Sequence, residues 1–357
     1  MEIIETNKNA KSEIIWEGIL QPQKIINKNK QYFAIVDSNV LWFYKEYFSK
    51  LDNIVYYTYK DPDEDNKTIK TVESILDFLF TNNADRNSIV LAIGGGVTLD
   101  LSGFVASIYK RGIDWIAIPT TLLSQVDASV GGKTAINNIT GKNAIGSFHP
   151  PYKVLISSIV SQSWNEIHRL EGKAEMFKIF KVFDHSAADD LINDPVNDVL
   201  THRSIKIKAD VVRIDPWEKD IRASLNYGHT LGHSLEFLMP IRHGIAVALG
   251  IRCENYIAEI IGRMSTDVRK AIDIELNGLG FDIPKEMPKF SSLAPFILQD
   301  KKNESGEIKL VLIDGVHEIK ISNHDPRITV ALDEIEKSYK EFCREFKVKE
   351  VDYESHF

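Results

Sequence analysis

Apolar and polar positions follow two rhythms along the first 150 residues. Tyr32-Phe-Ala-Ile-Val36 is a short continuous apolar run, which predicts a buried strand, and Asp37-Ser-Asn-Val40 after it supplies residues that start a helix. Asn53-Ile-Val-Tyr-Tyr-Thr58, Ser88-Ile-Val-Leu-Ala-Ile93 and Trp115-Ile-Ala-Ile-Pro119 predict three further strands, the third of the four closed by Gly94-Gly-Gly96. Between them, Thr68 to Phe80 places Ile69, Val72, Ile75, Leu76 and Leu79 on one helical face. Strands alternating with helices predict an α/β domain. From Pro150 onward the strand signals fade and helical periodicity takes over. The pattern predicts an α/β domain over 1–155, a mostly α-helical one over 156–346, and a charged, solvated or frayed tail over 347–357. No internal repeat or low-complexity linker interrupts this.

A chain of 357 residues exceeds one ordinary core, which agrees with two domains. Its 43% hydrophobic and 26% charged content is that of a soluble globular protein. The two cysteines, Cys253 and Cys343, are far apart and form no CxxC, which argues against a disulfide scaffold or a thiolate zinc site. The N-terminal stretch has no apolar core of signal-peptide length, and no apolar run approaches membrane-spanning length, so the expected compartment is the cytoplasm. A formal charge of -8 gives no reason to expect nucleic-acid or membrane partners.

The candidate chemistry is concentrated in Asn226-Tyr-Gly-His229-Thr-Leu-Gly-His233-Ser-Leu-Glu236 and His243-Gly244, where three of the ten histidines fall within fifteen residues. His229 and His233, four apart, would share one face of a helix, either as a polar stripe or as metal ligands. Glu175, in Gly172-Lys-Ala-Glu175-Met-Phe-Lys178, offers a carboxylate; two histidines and a glutamate are a ligand set for a catalytic zinc. Gly94-Gly-Gly-Val-Thr-Leu-Asp100 follows a strand and precedes a helix-like run, which suits either a tight turn or a pyrophosphate site, though it is not GxGxxG. In Pro119 to Asn137 the string Gly131-Gly-Lys133-Thr lacks the first glycine of a phosphate loop, because Asp127 stands there. Arg111, Lys133, Lys142, Lys178, Lys208, Arg222 and the pair Lys301-Lys302 form a set, several of which lie beside glycines or in apolar context and not in exposed charge runs. Together they would suit a small polyanion bearing phosphate and carboxylate.

Taken together, these strings resemble the 3-dehydroquinate synthase family, within the wider sugar-phosphate cyclases. The resemblance runs from about residue 35 to 320, through Gly-Gly-Gly-Val-x-x-Asp at 94–100, Arg111-Gly112, Pro-Thr-Thr-Leu-Leu-x-Gln-Val-Asp at 119–127, Gly-Gly-Lys-Thr-Ala-Ile-Asn at 131–137, Gly-Lys-Asn at 141–143, Ala-Glu-x-x-Lys at 174–178, Asn-x-Gly-His-Thr-x-Gly-His at 226–233, His243-Gly244 and Asp300-Lys-Lys302. It implies an NAD-binding α/β N-terminal domain and a mostly α-helical, metal-binding C-terminal domain. Glu175, His229 and His243 then look like the ligands of Zn2+ or Co2+, and His233 like a proton-transfer residue rather than a ligand. Lys133, Asn143, Lys178, Lys208, Arg222 and Asn226 resemble catalytic positions. Arg111, Asp127, Lys133, Lys208, Arg222, Lys301 and Lys302 resemble substrate positions. Asp37, Asn39, Glu64, Lys67, Gly94, Gly95, Gly96, Asp100, Thr120, Thr121, Asp127 and Lys142 resemble NAD contacts. The chain departs from the family where Ile245 follows His243-Gly244 in place of the common Glu, where Phe180 stands in the Ala-Glu-x-x-Lys helix, and in short stretches before Lys208 and His243.

The implied reaction converts 3-deoxy-arabino-heptulosonate 7-phosphate to 3-dehydroquinate. It proceeds through transient oxidation by NAD, phosphate elimination, re-reduction, ring opening and intramolecular aldol closure. A small sugar phosphate is the expected partner, and the resemblance implies a homodimer. Sister cyclases acting on sedoheptulose 7-phosphate or glucose 6-phosphate, an NAD- and zinc-dependent polyol dehydrogenase, and a non-catalytic homologue are the competing readings. The crowd of cations disfavours a neutral polyol, and the intact ligand set disfavours the last.

Overall fold

The computed structural model describes residues 12–18, 21, 24, 26–27, 29–48, 54–59, 63–138, 141–163, 165–193, 196–299 and 307–353. The chain forms two compact units, one of residues 1–169 with 208–216, the other of 170–207 with 217–357.

In the first unit the elements run β1 (Glu13–Glu17), β2 (Tyr32–Asp37), α1 (Ser38–Phe48), β3 (Ile54–Tyr59), α2 (Ile69–Thr81), β4 (Ile89–Gly94), α3 (Gly96–Ile108), β5 (Trp115–Pro119), β6 (Lys133–Asn138), β7 (Gly141–Phe148) and β8 (Lys153–Ser157). Six strands form one sheet in the order β1-β8-β5-β4-β2-β3, every neighbouring pair parallel. Every residue of β2, β4 and β5 is buried, which is why these segments read as continuous apolar runs and not as alternation. The edge strand β3 is only partly covered. Helix α2 starts at the Thr68 cap, whose hydroxyl accepts the Thr71 N–H, and buries Val72, Ile75 and Leu79.

The four strands and the α2 helix expected from the sequence are present; Asn53 of the expected second strand lies outside the described residues. The structure adds the edge strand β1, the strand β8 beyond Pro150, and the antiparallel hairpin β6–β7 in the glycine- and lysine-rich stretch. In that hairpin polar, glycine and apolar positions are mixed without strict alternation, so hydrophobic periodicity carries little signal. Chain order reverses between β2 and β4: β2 leads outward to β3, and the chain then returns to β2's other side. The carboxyl ends of β2 and β4 therefore flank a topological switch point, where open parallel sheets place their ligands.

The second unit is mostly helical. It holds most of α4 (Glu166–Phe183), α5 (His185–Asn193), the start of α6 (Asp198–Ile214), α7 (His229–Leu238), α8 (His243–Ile260) and α9 (Thr266–Gly278). After these come β9 (Glu286–Pro288), α10 (Phe290–Leu298), β10 (Ile308–Val311), β11 (Arg327–Val330), α11 (Leu332–Glu345) and β12 (Lys349–Val351). Residues 246–258 of α8 are buried without interruption, which marks a central helix with no solvent face. The expected charged tail instead contributes β12, which pairs in parallel with β9; pairing through the backbone needs no apolar side chains.

Buried charges tie α8, α9 and α11 together. Arg252 Nη1 donates to Asp273 Oδ1 at 3.0 Å and its Nη2 to Asn277 Oδ1 at 2.8 Å. Arg269 donates to Asp273 Oδ2 at 2.9 Å and to Glu345 Oε2 at 3.0 Å, and stacks 3.9 Å from the Tyr256 ring centroid. Burial pushes the Asp273 carboxyl above its ordinary value, and the two guanidiniums only partly offset that. Forming such a network contributes little net stability, but removing Asp273 takes away the carboxylate that faces buried Arg252, while Arg269 keeps Glu259 and Glu345. Asp273→Asn is expected to cost about 3 kcal/mol, read as a lower urea midpoint at unchanged slope. A midpoint equal to that of the parent chain would show that the arginines are satisfied otherwise.

Candidate active site

In the first unit the expected cofactor residues gather at the switch point. Asp37 ends β2, buried, with Oδ1 accepting the Asn39 N–H at 2.8 Å. Gly94 ends β4, Gly95 caps α3, and Gly96 opens it. Such a turn points the free amides of a thirteen-residue helix at the crevice, a site for a phosphate. Thr120 follows β5 and its N–H donates to Gly94 O at 3.0 Å, so the threonine pair sits beside the glycine turn.

A second cluster joins Glu64, Lys67, Asp100, Asn137 and Asn143. Lys67, almost fully buried, reaches Asp100 Oδ2 at 2.5 Å, Glu64 Oε1 at 3.7 Å, and the side-chain oxygen of Asn143. Burial raises the Asp100 carboxyl, against the pull of Lys67. Asn137 donates to Glu64 Oε1 at 2.8 Å and accepts the Asn143 N–H on Oδ1, also at 2.8 Å. Asn143 has φ 51°, a left-handed conformation that an asparagine adopts only at some cost and that these bonds hold in place. Asn137 was legible in the sequence only as the end of a matching string. Lys208 donates to Asp127 O at 2.7 Å and also meets the Asp127 carboxylate. Lys133 and Arg111 are exposed. Lys110, Arg111 and Gly112 carry three successive positive φ angles of 48°, 72° and 110°, a strained turn of the kind found at functional sites.

In the second unit three donor atoms converge. Glu175 Oε1 lies 3.5 Å from His229 Nε2 and 3.3 Å from His243 Nε2, and all three atoms are within 4.8 Å of one another. A tetrahedral zinc with bonds near 2.0–2.1 Å separates its donors by about 3.3–3.4 Å. The other ring nitrogens are already engaged: His243 Nδ1 with Glu236 Oε2 at 3.1 Å, His229 Nδ1 with Tyr227 O at 3.3 Å. Each imidazole therefore turns Nε2 toward the carboxylate, the arrangement in which metal-binding histidines are held. These residues fit a divalent cation. Burial works against a protonated His243, but Glu236 and Glu175 outweigh it and hold the imidazole well above its ordinary value; a cation would displace that proton.

Local packing explains the convergence. Glu175 sits in the fully buried half of α4, with Lys178 one turn later against its second oxygen. A Cβ on Gly244 would lie 2.5 Å from Glu171 Cα, so only glycine lets the start of α8 approach α4 and bring His243 to Glu175. His233 is exposed, its ring 5.0 Å from His229 and 5.9 Å from His243 between centroids. Spacing alone would pair His229 with His233; the geometry pairs it with Glu175 and His243. Arg222, buried, and Asn226 share the 3-10 turn Ile221–Asn226. Asn226 donates to Glu218 Oε1 at 2.5 Å, and Glu218 has φ 57°. Glu218 carried no sequence signal beyond its neighbourhood; its backbone conformation is the sign that it is held in place. Lys301 and Lys302 lie outside the described residues.

A parallel sheet with a glycine turn at its switch point, and a helical unit presenting two imidazoles and a carboxylate, define a dehydroquinate synthase-like fold. The family descriptions "3-dehydroquinate synthase N-terminal" and "3-dehydroquinate synthase C-terminal" match residues 58–168 and 170–303. A 3-dehydroquinate synthase of a Nitratiruptor species is 35% identical over 335 residues, 91% of this chain and 95% of that protein. One of Campylobacter hominis is 38% identical over 275 residues, 75% of this chain and 80% of that protein. Among solved structures, a 2-deoxy-scyllo-inosose synthase complexed with carbaglucose-6-phosphate, NAD+ and Co2+ superimposes with a TM-score of 0.84 at 25% identity, covering 95% of this chain and 99% of that one. The chain belongs to the 3-dehydroquinate synthase family.

Proposed function

We propose that this chain converts 3-deoxy-arabino-heptulosonate 7-phosphate to 3-dehydroquinate and phosphate, with NAD as a recycled oxidant and Zn2+ or Co2+ as Lewis acid. The observation that carries the reading is the convergence of Glu175, His229 and His243 in a chain that shares 35–38% identity with the two synthases described above.

The residues divide the work as follows. Glu175 Oε1 and the two Nε2 atoms would hold the cation, which would supply Lewis-acid polarisation of substrate hydroxyl and carbonyl oxygens. The glycines after β4, with Asp37, Asn39, Thr120, Thr121 and Lys142, bind NAD, the helix amides taking the pyrophosphate. The Glu64–Lys67–Asp100 cluster adds polar contacts to the same cofactor. Lys208, paired with Asp127, and buried Arg222 bind the carboxylate; Arg111, Lys133, Lys301 and Lys302 bind the phosphate end. Asn143 and Asn226 orient hydroxyls. Lys178 supplies positive charge beside Glu175, and His233, which is exposed, exchanges hydroxyl protons. A cytoplasmic homodimer belongs with this reading, and no described helix is long and apolar enough to cross a membrane.

The test is phosphate release by purified protein with NAD, zinc and 3-deoxy-arabino-heptulosonate 7-phosphate, following NADH absorbance in parallel. Chelator-sensitive release without NADH accumulation supports the reading. Release only from sedoheptulose 7-phosphate or glucose 6-phosphate would overturn it for a sister cyclase, and net NADH for a dehydrogenase. Within it, Asn137→Ala should weaken NAD about tenfold, since it removes the side-chain hydrogen bonds to Glu64 O and Oε1 and from the Asn143 N–H, roughly 1.4 kcal/mol together. Calorimetric titration of NAD checks this, and an unchanged dissociation constant would show that Asn137 does not order the cofactor site.

A further inference from the structure

Glu254 is fully buried in the middle of α8 and reaches across to the first turn of α7. Its Oε2 accepts the Gly228 N–H at 2.7 Å, and its Oε1 accepts the N–H groups of Thr230 at 3.1 Å and Leu231 at 3.3 Å. A helix start leaves such amides without partners inside the helix, and the capping residue here, Gly228, has no side chain to offer. A carboxylate from a neighbouring helix takes that place, with the helix dipole in its favour. The three donors bracket His229. The next residue of α8, Asn255, is also fully buried and accepts the Tyr227 hydroxyl at 2.6 Å, and Tyr227 O is the partner of His229 Nδ1. One helix thus carries His243 in its first turn and grips the segment on both sides of His229.

We propose that Glu254 is a positioning residue of the metal centre: by anchoring the first turn of α7 to α8 it fixes His229 Nε2 relative to His243 Nε2 and Glu175. This rests on the reading of those three residues as the metal site. Carboxylate chemistry is what the position requires. A carboxamide of the same shape has one acceptor oxygen, so its NH2 group must face either the Gly228 amide or the Thr230 and Leu231 amides, donor against donor. The first turn then shifts, and the imidazole shifts with it.

The experiment is titration of metal-free full-length protein with Co2+, read by visible absorption, for the parent chain, Glu254→Gln and Asp273→Asn. The last is a carboxylate-to-carboxamide change elsewhere in the same unit and serves as a control for lost stability. Expected for Glu254→Gln is a cobalt dissociation constant raised by about ten- to a hundredfold, with altered band positions or intensities. NAD affinity, which reads the other unit, should stay within about twofold. Asp273→Asn should keep the parent spectrum. A Glu254→Gln protein with the parent's cobalt affinity and spectrum overturns the proposal, however far its melting temperature falls. An equal spectral change in Asp273→Asn overturns it too, by assigning the effect to general loosening. If Glu254→Gln yields no folded protein, Glu254→Asp decides: it keeps the charge but shortens the reach, so a weakened site supports the proposal and a parental one overturns it. If the parent chain itself binds no cobalt, the metal-site reading fails first, and separately.

Discussion

Glu175→Gln is expected to abolish metal retention and to lower phosphate release by about a thousandfold, equivalent to roughly 4 kcal/mol of transition-state stabilisation. The carboxamide fills the same space, so no cavity opens in α4, but buried Lys178 loses its carboxylate partner and the fold loses stability as well. The carboxamide lacks the negative charge that faces His229 and His243 and that offsets buried Lys178. Two neutral imidazoles and an amide oxygen are a far weaker set for a divalent cation than two imidazoles and a carboxylate. Metal content after dialysis, by elemental analysis, and the rate of phosphate release should fall together, while NAD binding to the first unit persists. Full metal occupancy in Glu175→Gln would remove this residue from the ligand set.

Much of this site was legible because its chemistry sits in short strings with unusual residues. The glycine turn after β4 and the histidine pair that begins α7 are cases where local sequence and local structure coincide. What spacing could not give was the partner of His229. Two histidines four apart share a helix face, yet the pairing depends on where α4 and α8 run, and no periodicity within α7 encodes that. The resemblance supplied His243, and the distances agree with it. The carboxylates that support the site were silent for the same reason. Glu236 and Glu254 look like ordinary helical acids in the sequence, and only tertiary contact shows one against His243 Nδ1 and the other at the start of α7. The β6–β7 hairpin was hidden differently: its positions serve Lys67, Asn137 and Asn143, so its polar residues mask the two-residue rhythm of a strand.

The close approach of α7 and α8 yields the largest expected effect on stability, from Gly250→Ala. A Cβ there would lie 1.9 Å from Gly228 O, 2.6 Å from Gly232 N and 2.9 Å from Gly232 Cα. All three are backbone atoms, so no rotamer change relieves the clash, and the helices must separate. Overpacking of this kind costs about 3 kcal/mol or more, which lowers the melting temperature by roughly 10 °C for a unit of this size. The damage is not confined to stability. His229 opens α7 and His243 opens α8, so a gap between the helices also moves two donor atoms that now lie within 4.8 Å of each other. Thermal unfolding of the metal-free protein and a cobalt titration should therefore both respond, the second by more than about tenfold, since each 1.4 kcal/mol of lost ligand geometry is a factor of ten. Gly278→Ala is the counter-case. Nothing lies within 4 Å of its Cβ position at the end of α9, so the same added methyl should leave both readings unchanged or raise stability by up to about 1 kcal/mol. A Gly250→Ala protein that melts within about 2 °C of the parent would mean that α7 and α8 can part without cost. The distance between His229 and His243 would then have to be set elsewhere.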